Sequence, residues 1–212
     1  MEMMNLKERR KMGCDIHIYT EKRETLFEDD TIWVNVDCWK YNRYYEQYPE
    51  SEREFNIEHI YDDRCYSMFA VLANVRNYSG VEPISMPRGL PNDVSKPVLE
   101  ECERWNGDGY SHSWFTLAEL KEAKKQRGII HYIGWVTDEG KKQIEDGQMP
   151  DFWEADSSEY CKHLMEWDFE FHLLDPIIDS LERVKKRAFR YSLIDDENER
   201  DQMIRIVFWF DN

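Results

Sequence analysis

No two cysteines in this 212-residue chain are spaced as CxxC, and the five present (Cys14, Cys38, Cys65, Cys102 and Cys161) are odd in number and far apart. That pattern argues against a disulfide framework and for reduced thiols in a cytoplasm. Long apolar runs are missing as well, so no membrane span is expected. The opening MEMMNLKERRK is too short and too polar for a secretory signal. Basic residues are scarce: 28 Lys and Arg against 44 Asp and Glu leave a net charge of −16. A field of that sign repels long nucleic acid and anionic membrane, but it is compatible with a small phosphate ligand held by a few local arginines. P-loop, GxGxxG, HExxH and GxSxG motifs are all absent.

Aromatic residues, by contrast, make up 14% of the chain and hydrophobic residues 41%. Disordered chains lack such side chains, so a folded, aromatic-rich core is expected. There is no internal repeat, low-complexity tract or linker. Residues 12–212 therefore read as a single α+β domain, with a small, mostly antiparallel sheet packed against several helices. Met12–Gly13 reads as a second start, which makes 1–11 an optional extension.

Strict alternation in CDIHIYTEK, with Cys14, Ile16 and Ile18 on one side and Asp15, His17 and Tyr19 on the other, predicts a half-buried strand. EDDT turns the chain and TIWVNVDCW forms a second strand, giving an N-terminal hairpin. Residues 40–64 read as a polar, tyrosine-rich excursion. CYSMFAVLANVRN has helical spacing through Met68, Val71, Leu72 and Val75. KPVLEECERW is a short helix, and NGDGYSHSW is a loop. TLAELKEAKKQ begins a helix with a capping box of Thr116 and Glu119. IIHYIGWVT is ambiguous, and the DGQMPDFWEADSS stretch is loop. EYCKHLMEWDFEFHLLDPIIDSLERVKKRA reads as mostly helical, with Pro176 as a break or first-turn residue. The closing MIRIVFWFDN has the near-unbroken apolar run of a strand buried on both faces.

Three constellations carry chemistry. Asp15 and His17 share a strand face, either a wet surface or half of a metal or acid–base site. A divalent metal held by Asp15, His17 and Asp211 is one expectation, and Asp15, His17 and His112 are the catalytic candidates if the protein is an enzyme. The NGDGYSHSW stretch offers Asp108, Tyr110, Ser111, Ser113 and Trp114 to a ligand, beside amides at the start of the following helix that favour an anion. The plain alternative is that Thr116 or Ser113 caps that helix. Arg76 and Arg88 are preorganised donors for carboxylate or phosphate, or else internal ion-pair partners. The basic run LERVKKRAFR reads as a solvated helix face.

MGCDIHIYTEK, CYSMFAVLANVRN, PRGLP, DGYSHSW and RIVFWFDN together resemble a family of uncharacterised bacteriophage and prophage proteins, from Met12 onward. The resemblance covers most of the chain but not residues 40–64 or 140–165. It implies expression in the cytoplasm of an infected host bacterium, and with it an accessory role against host defence. The expected function is binding, and so sequestration, of a small nucleotide-type defence signal. The alternative is a metal-dependent phosphoesterase built on Asp15, His17 and His112. Expected partners are the nucleotide-type ligand and, as an open possibility, a second copy of the chain, but neither long nucleic acid nor membrane.

Overall fold

The computed structural model describes residues 13–25, 30–78, 80–105, 107–154 and 156–211. The optional extension at 1–11 lies outside the described residues. The chain forms two compact units, unit 1 (Met1–Lys121 with Leu173–Asn212) and unit 2 (Glu122–His172). Nothing in the sequence marks this division, because no linker composition separates the two.

Unit 1 is an α+β unit built on a four-stranded antiparallel sheet. Its strands are β1 (Ile16–Thr25), β2 (Thr31–Asn35), β5 (Tyr110–Thr116) and β9 (Ile204–Phe210), in the order β2-β1-β9-β5. The C-terminal strand is central, and every residue of β9 is buried. Its run of β-branched and aromatic residues suits a strand covered on both sides. One face carries Tyr19, Val207 and Trp209 against Val98, with Trp105 and Trp114 at the margin. The other carries Phe208 and Phe210, which meet Phe115 and Phe69 at ring distances of 5.9 and 5.0 Å.

Four helices pack in this unit. The first, α1 (Tyr66–Ala73), buries Met68 to Ala73 and stops at Asn74, whose backbone is left-handed at φ 58°. The second, α2 (Lys96–Arg104), covers the Trp209 face through Val98. Then α5 (Asp175–Ala188) starts with Pro176 in its first turn and buries Ile177, Ile178, Leu181 and Val184. The last, α6 (Glu197–Gln202), is capped by Asp196, which accepts from the amides of Asn198 and Glu199. A helix α3 (Leu117–Arg127) contains the passage from unit 1 to unit 2.

Among the charged residues of unit 1, Arg205 and Glu21 are both fully buried and joined at 2.7 Å. Asp93 takes a second Arg205 nitrogen at 2.8 Å, and Glu21 also accepts from the Ser95 amide at 2.7 Å. The two charges are thus paired and hydrogen-bonded, the condition under which a buried ion pair is tolerated.

The single long strand expected over TIWVNVDCW is divided. Both oxygens of Asp37 accept from the Thr20 amide, at 3.1 and 3.0 Å, and this turns the chain after Asn35. A separate strand β3 (Cys38–Tyr41) then pairs with β4 (Phe55–Glu58). Residues 40–64 are therefore partly a hairpin. The expected loop at NGDGYSHSW is also corrected: from Tyr110 it is strand β5, paired with β9. The expected capping box holds, for the Thr116 amide donates to Glu119 Oε2 at 2.8 Å and the Glu119 amide to Thr116 Oγ1 at 3.2 Å.

Unit 2 holds a three-stranded sheet in the order β7-β6-β8, from β6 (Ile129–Val136), β7 (Trp153–Glu154) and β8 (His163–Glu170), with α4 (Asp138–Glu145) between β6 and β7. The helix expected over EYCKHLMEWDFEF is instead β8. The residues alternate with period two: Leu164, Glu166, Asp168 and Glu170 are exposed while Trp167 is buried. Tyr132 and Trp167 stack at 5.5 Å, and Trp153 meets Trp167 edge-on at 5.8 Å. Gly134 is needed there, since a Cβ would lie 2.7 Å from the Trp153 ring. Among the described residues, no helix is long and apolar enough to cross a membrane.

Candidate functional site at the end of the unit 1 sheet

Pairing of β1 with β9 sets Ile16 opposite Phe210 and His17 opposite Trp209. The two strand ends lock together beyond that pair. The Asp15 amide donates to Asp211 Oδ1 at 3.1 Å, and the Asp211 amide to the Asp15 carbonyl at 3.2 Å. This leaves Asp211 Oδ2 3.4 Å from His17 Nε2. Carboxylate and imidazole are only about one-fifth exposed, at 18% and 17%. Burial pushes the His17 pKa below its ordinary value, against the opposing pull of Asp211. The ring is therefore neutral at pH 7, packed on Trp105 at 4.1 Å, and its Nε2 has no hydrogen-bond partner among the described residues.

The third strand joins through an irregularity. Tyr110 pairs with Phe210 and Ser113 with Phe208, so three steps of β5 oppose two of β9. Ser111 takes up the mismatch with a left-handed φ of 55°. The result splits the neighbours of the bulge between the two faces. Tyr110 Oη lies 3.1 Å from Cys14 Sγ, while the His112 ring sits 5.6 Å from Trp209 on the face that holds His17. Gly109 packs beside them, since a Cβ there would come within 3.1 Å of the Trp209 ring and 3.5 Å of His112 Nε2.

Two arginines complete the cluster. Arg64 grips Asp15 through Nε and Nη2, at 2.8 and 2.6 Å, and holds its carboxyl below the usual range. Arg76 has a left-handed backbone at φ 51°, donates to the Tyr78 hydroxyl at 3.3 Å and lies over the Tyr66 ring. Non-glycine residues in this region carry strain of about 1–3 kcal/mol, and such strain concentrates at functional positions.

The end of the sheet thus collects Asp15, His17, Arg76, Tyr110, Ser111, His112 and Asp211 from four distant segments. Trp114 lies elsewhere, farther along β5, with Arg88 of an earlier loop beside it. Arg88 bonds Glu119 at 2.7 Å, and its guanidinium rests 5.0 Å from the Trp114 ring and 4.5 Å from Phe115. Arg88 is therefore an internal ion-pair partner. The helix amides expected to bind an anion are instead faced by Glu119 of the chain itself. Ser113 is fully buried and accepts from the Arg88 amide. Asp108 is exposed.

Cys102 and His112, 3.2 Å apart, form a thiol–imidazole contact, but not an activated one. Burial raises the Cys102 pKa and lowers that of His112, the reverse of what a thiolate–imidazolium pair requires. Among the described residues, no three His, Cys, Asp or Glu side chains are grouped so that they could hold a metal. Asp15, His17 and Asp211 are adjacent, yet the Asp15 carboxylate is turned to Arg64.

Sequence reasoning missed Arg64, Tyr66, Trp105 and Trp209. Arg64 lies in the polar excursion without a motif, and the two indoles read as core residues. Compared with known protein families, curated proteins and solved structures, the chain shows no match.

Proposed function

We propose that unit 1 binds a small phosphate-bearing ligand of nucleotide type at this sheet end. The observation that carries the reading is the bringing together of Arg76 with Tyr66, Tyr78 and Tyr110 beside the joined ends of β1 and β9, where Arg64 is already paired with Asp15. Guanidiniums suit phosphate oxygens. Exposed rings such as Tyr78 suit a base, and stacking of that kind contributes about 1–3 kcal/mol per base. In the phage setting that the sequence resemblance implies, the ligand would be a host defence signal and the protein would sequester it. The test is calorimetry and melting of the whole protein with a panel of linear and cyclic nucleotides. One or more should bind stoichiometrically and raise the Tm, and Arg76→Gln should abolish that effect. A panel without heat or Tm shift contradicts the reading.

A second reading is favoured by the His17–Asp211 contact. A neutral imidazole 3.4 Å from a carboxylate is a candidate general base, and it would serve phosphoester hydrolysis. The metal-dependent form of this reading has no ligand set among the described residues. Product analysis separates the two readings: a binder returns its nucleotide intact, whereas a hydrolase turns it over and loses turnover in His17→Asn.

A further inference from the structure

A second feature of unit 1 involves none of the sheet-end residues. It is a cleft of about 370 Å³ between the Val36–Cys38 turn, the end of β4 and the exposed side of α5. That volume falls in the range of about 300–1,000 Å³ usual for small-ligand sites. Arg183 and Arg187 line it from adjacent turns of α5, and so from one helix face.

Both guanidiniums are held by neutral oxygens. Arg183 Nη2 donates to Ser180 Oγ at 2.8 Å, and Arg187 Nη2 donates to the Val36 carbonyl at 3.0 Å. Among the described residues, neither forms an ion pair with a carboxylate, in a chain with 44 acidic side chains against 28 basic ones. Of the two carboxylates in the wall, Glu58 is paired with a cation, whereas Asp37 is hydrogen-bonded by neutral donors. Asp37 accepts from the Thr20 amide and, at 2.7 Å, from Asn35 Nδ2, while Glu58 pairs with Lys40 at 2.7 Å. The guanidiniums of Arg183 and Arg187 are therefore oriented, and among the described residues no carboxylate pairs with them.

The opposite wall adds a selective group. His59 Nδ1 is 2.8 Å from the Ile18 carbonyl, which can only accept, so Nδ1 carries the proton. Nε2 is left outside that hydrogen bond. The site as a whole sets two adjacent cations against the wall carboxylate of Asp37, which is bonded by neutral donors. A phosphomonoester has three strong acceptor oxygens and can reach both guanidiniums at once.

We propose that this cleft binds a small phosphomonoester, its phosphate spanning Arg183 and Arg187 and a hydroxyl or amino donor of its organic part meeting His59 Nε2. The site is independent of the sheet-end reading.

Titration calorimetry of the full chain with AMP, inorganic phosphate and adenosine tests it. AMP should bind saturably, phosphate should compete with it, and adenosine should give no heat. The variant Arg183→Gln/Arg187→Gln, altered only at exposed positions, should keep its Tm and lose AMP binding. Three results overturn the proposal: no AMP heat or Tm shift, adenosine binding as tightly as AMP, or unchanged AMP affinity in the double arginine variant. If Arg76→Gln alone abolishes AMP binding, this cleft is excluded and the sheet-end reading stands.

Discussion

His17 on β1 lies opposite Trp209 on β9, their rings 6.1 Å apart, and Trp105 packs against the same imidazole at 4.1 Å. A titratable ring is thereby placed in an aromatic setting, with Asp211 as its near charge.

This placement predicts a pH dependence. Burial lowers the folded-state pKa of both His17 and His112 below the ordinary 6.5. The unfolded chain then binds protons that the folded one does not, over the window beneath 6.5. The stability linked to these rings is complete above that pH and is lost as pH falls through the window toward the folded values. For His17, Asp15 and Asp211 oppose the shift and His59 adds to it, so burial sets the sign. Denaturant unfolding at pH 7.5 and 5.5 should show the loss, and His17→Asn/His112→Asn should flatten the difference.

The buried Glu21–Arg205 pair predicts a large asymmetric effect. Glu21→Ala leaves a guanidinium that is 2% exposed with only Asp93 as its carboxylate partner. Removal of one partner of a buried pair costs about 3–5 kcal/mol. Equilibrium unfolding should report a loss of that order, far above that of Lys40→Ala, which breaks a solvent-exposed pair.

Ser111 tests the bulge. At φ 55° a glycine is at ease and a β-branched residue is not. Ser111→Gly should keep stability within about 1 kcal/mol, while Ser111→Val should cost about 1–3 kcal/mol. Circular dichroism melts of the two variants measure the difference.

The Thr116–Glu119 capping box predicts a smaller cost. Thr116→Ala removes one side of it and should destabilise by about 1 kcal/mol. Glu119→Ala removes the other side and also frees Arg88 from its ion pair, so it should cost more than Thr116→Ala. Chemical unfolding of both variants gives the order.

Much of the fold was legible where local chemistry dominates. The alternation of CDIHIYTEK, the helical stripe around Met68 to Leu72 and the capping box at Thr116 each name their own element. The failures came where a distant contact decides. TIWVNVDCW has no internal reason to break, and it breaks because Asp37 reaches Thr20 across the hairpin. NGDGYSHSW has the glycines of a loop, and β9 makes it a strand by pairing with it. The alternation of HLMEWDFE was present in the sequence, but the helical pattern that follows it masked it. In the site, Asp15, His17 and Asp211 could be joined by supposing that the first and last strands pair. Arg64 could not, because nothing local ties residue 64 to residue 15. Of the two readings of Arg88, ligand donor or internal ion-pair partner, the second describes its contact: an acidic chain supplied Glu119 as its partner.

The central claim is that distant segments at residues 14–17, 64–78, 105–112 and 209–211 form one ligand site. The most direct measurement is a nucleotide titration followed by NMR of the Tyr66, Tyr78 and Tyr110 ring protons and the Arg76 side-chain N–H groups. The account predicts that these four signals move together and saturate at one equivalent. Signals that stay still while a nucleotide binds elsewhere, or while none of the panel binds at all, would contradict it.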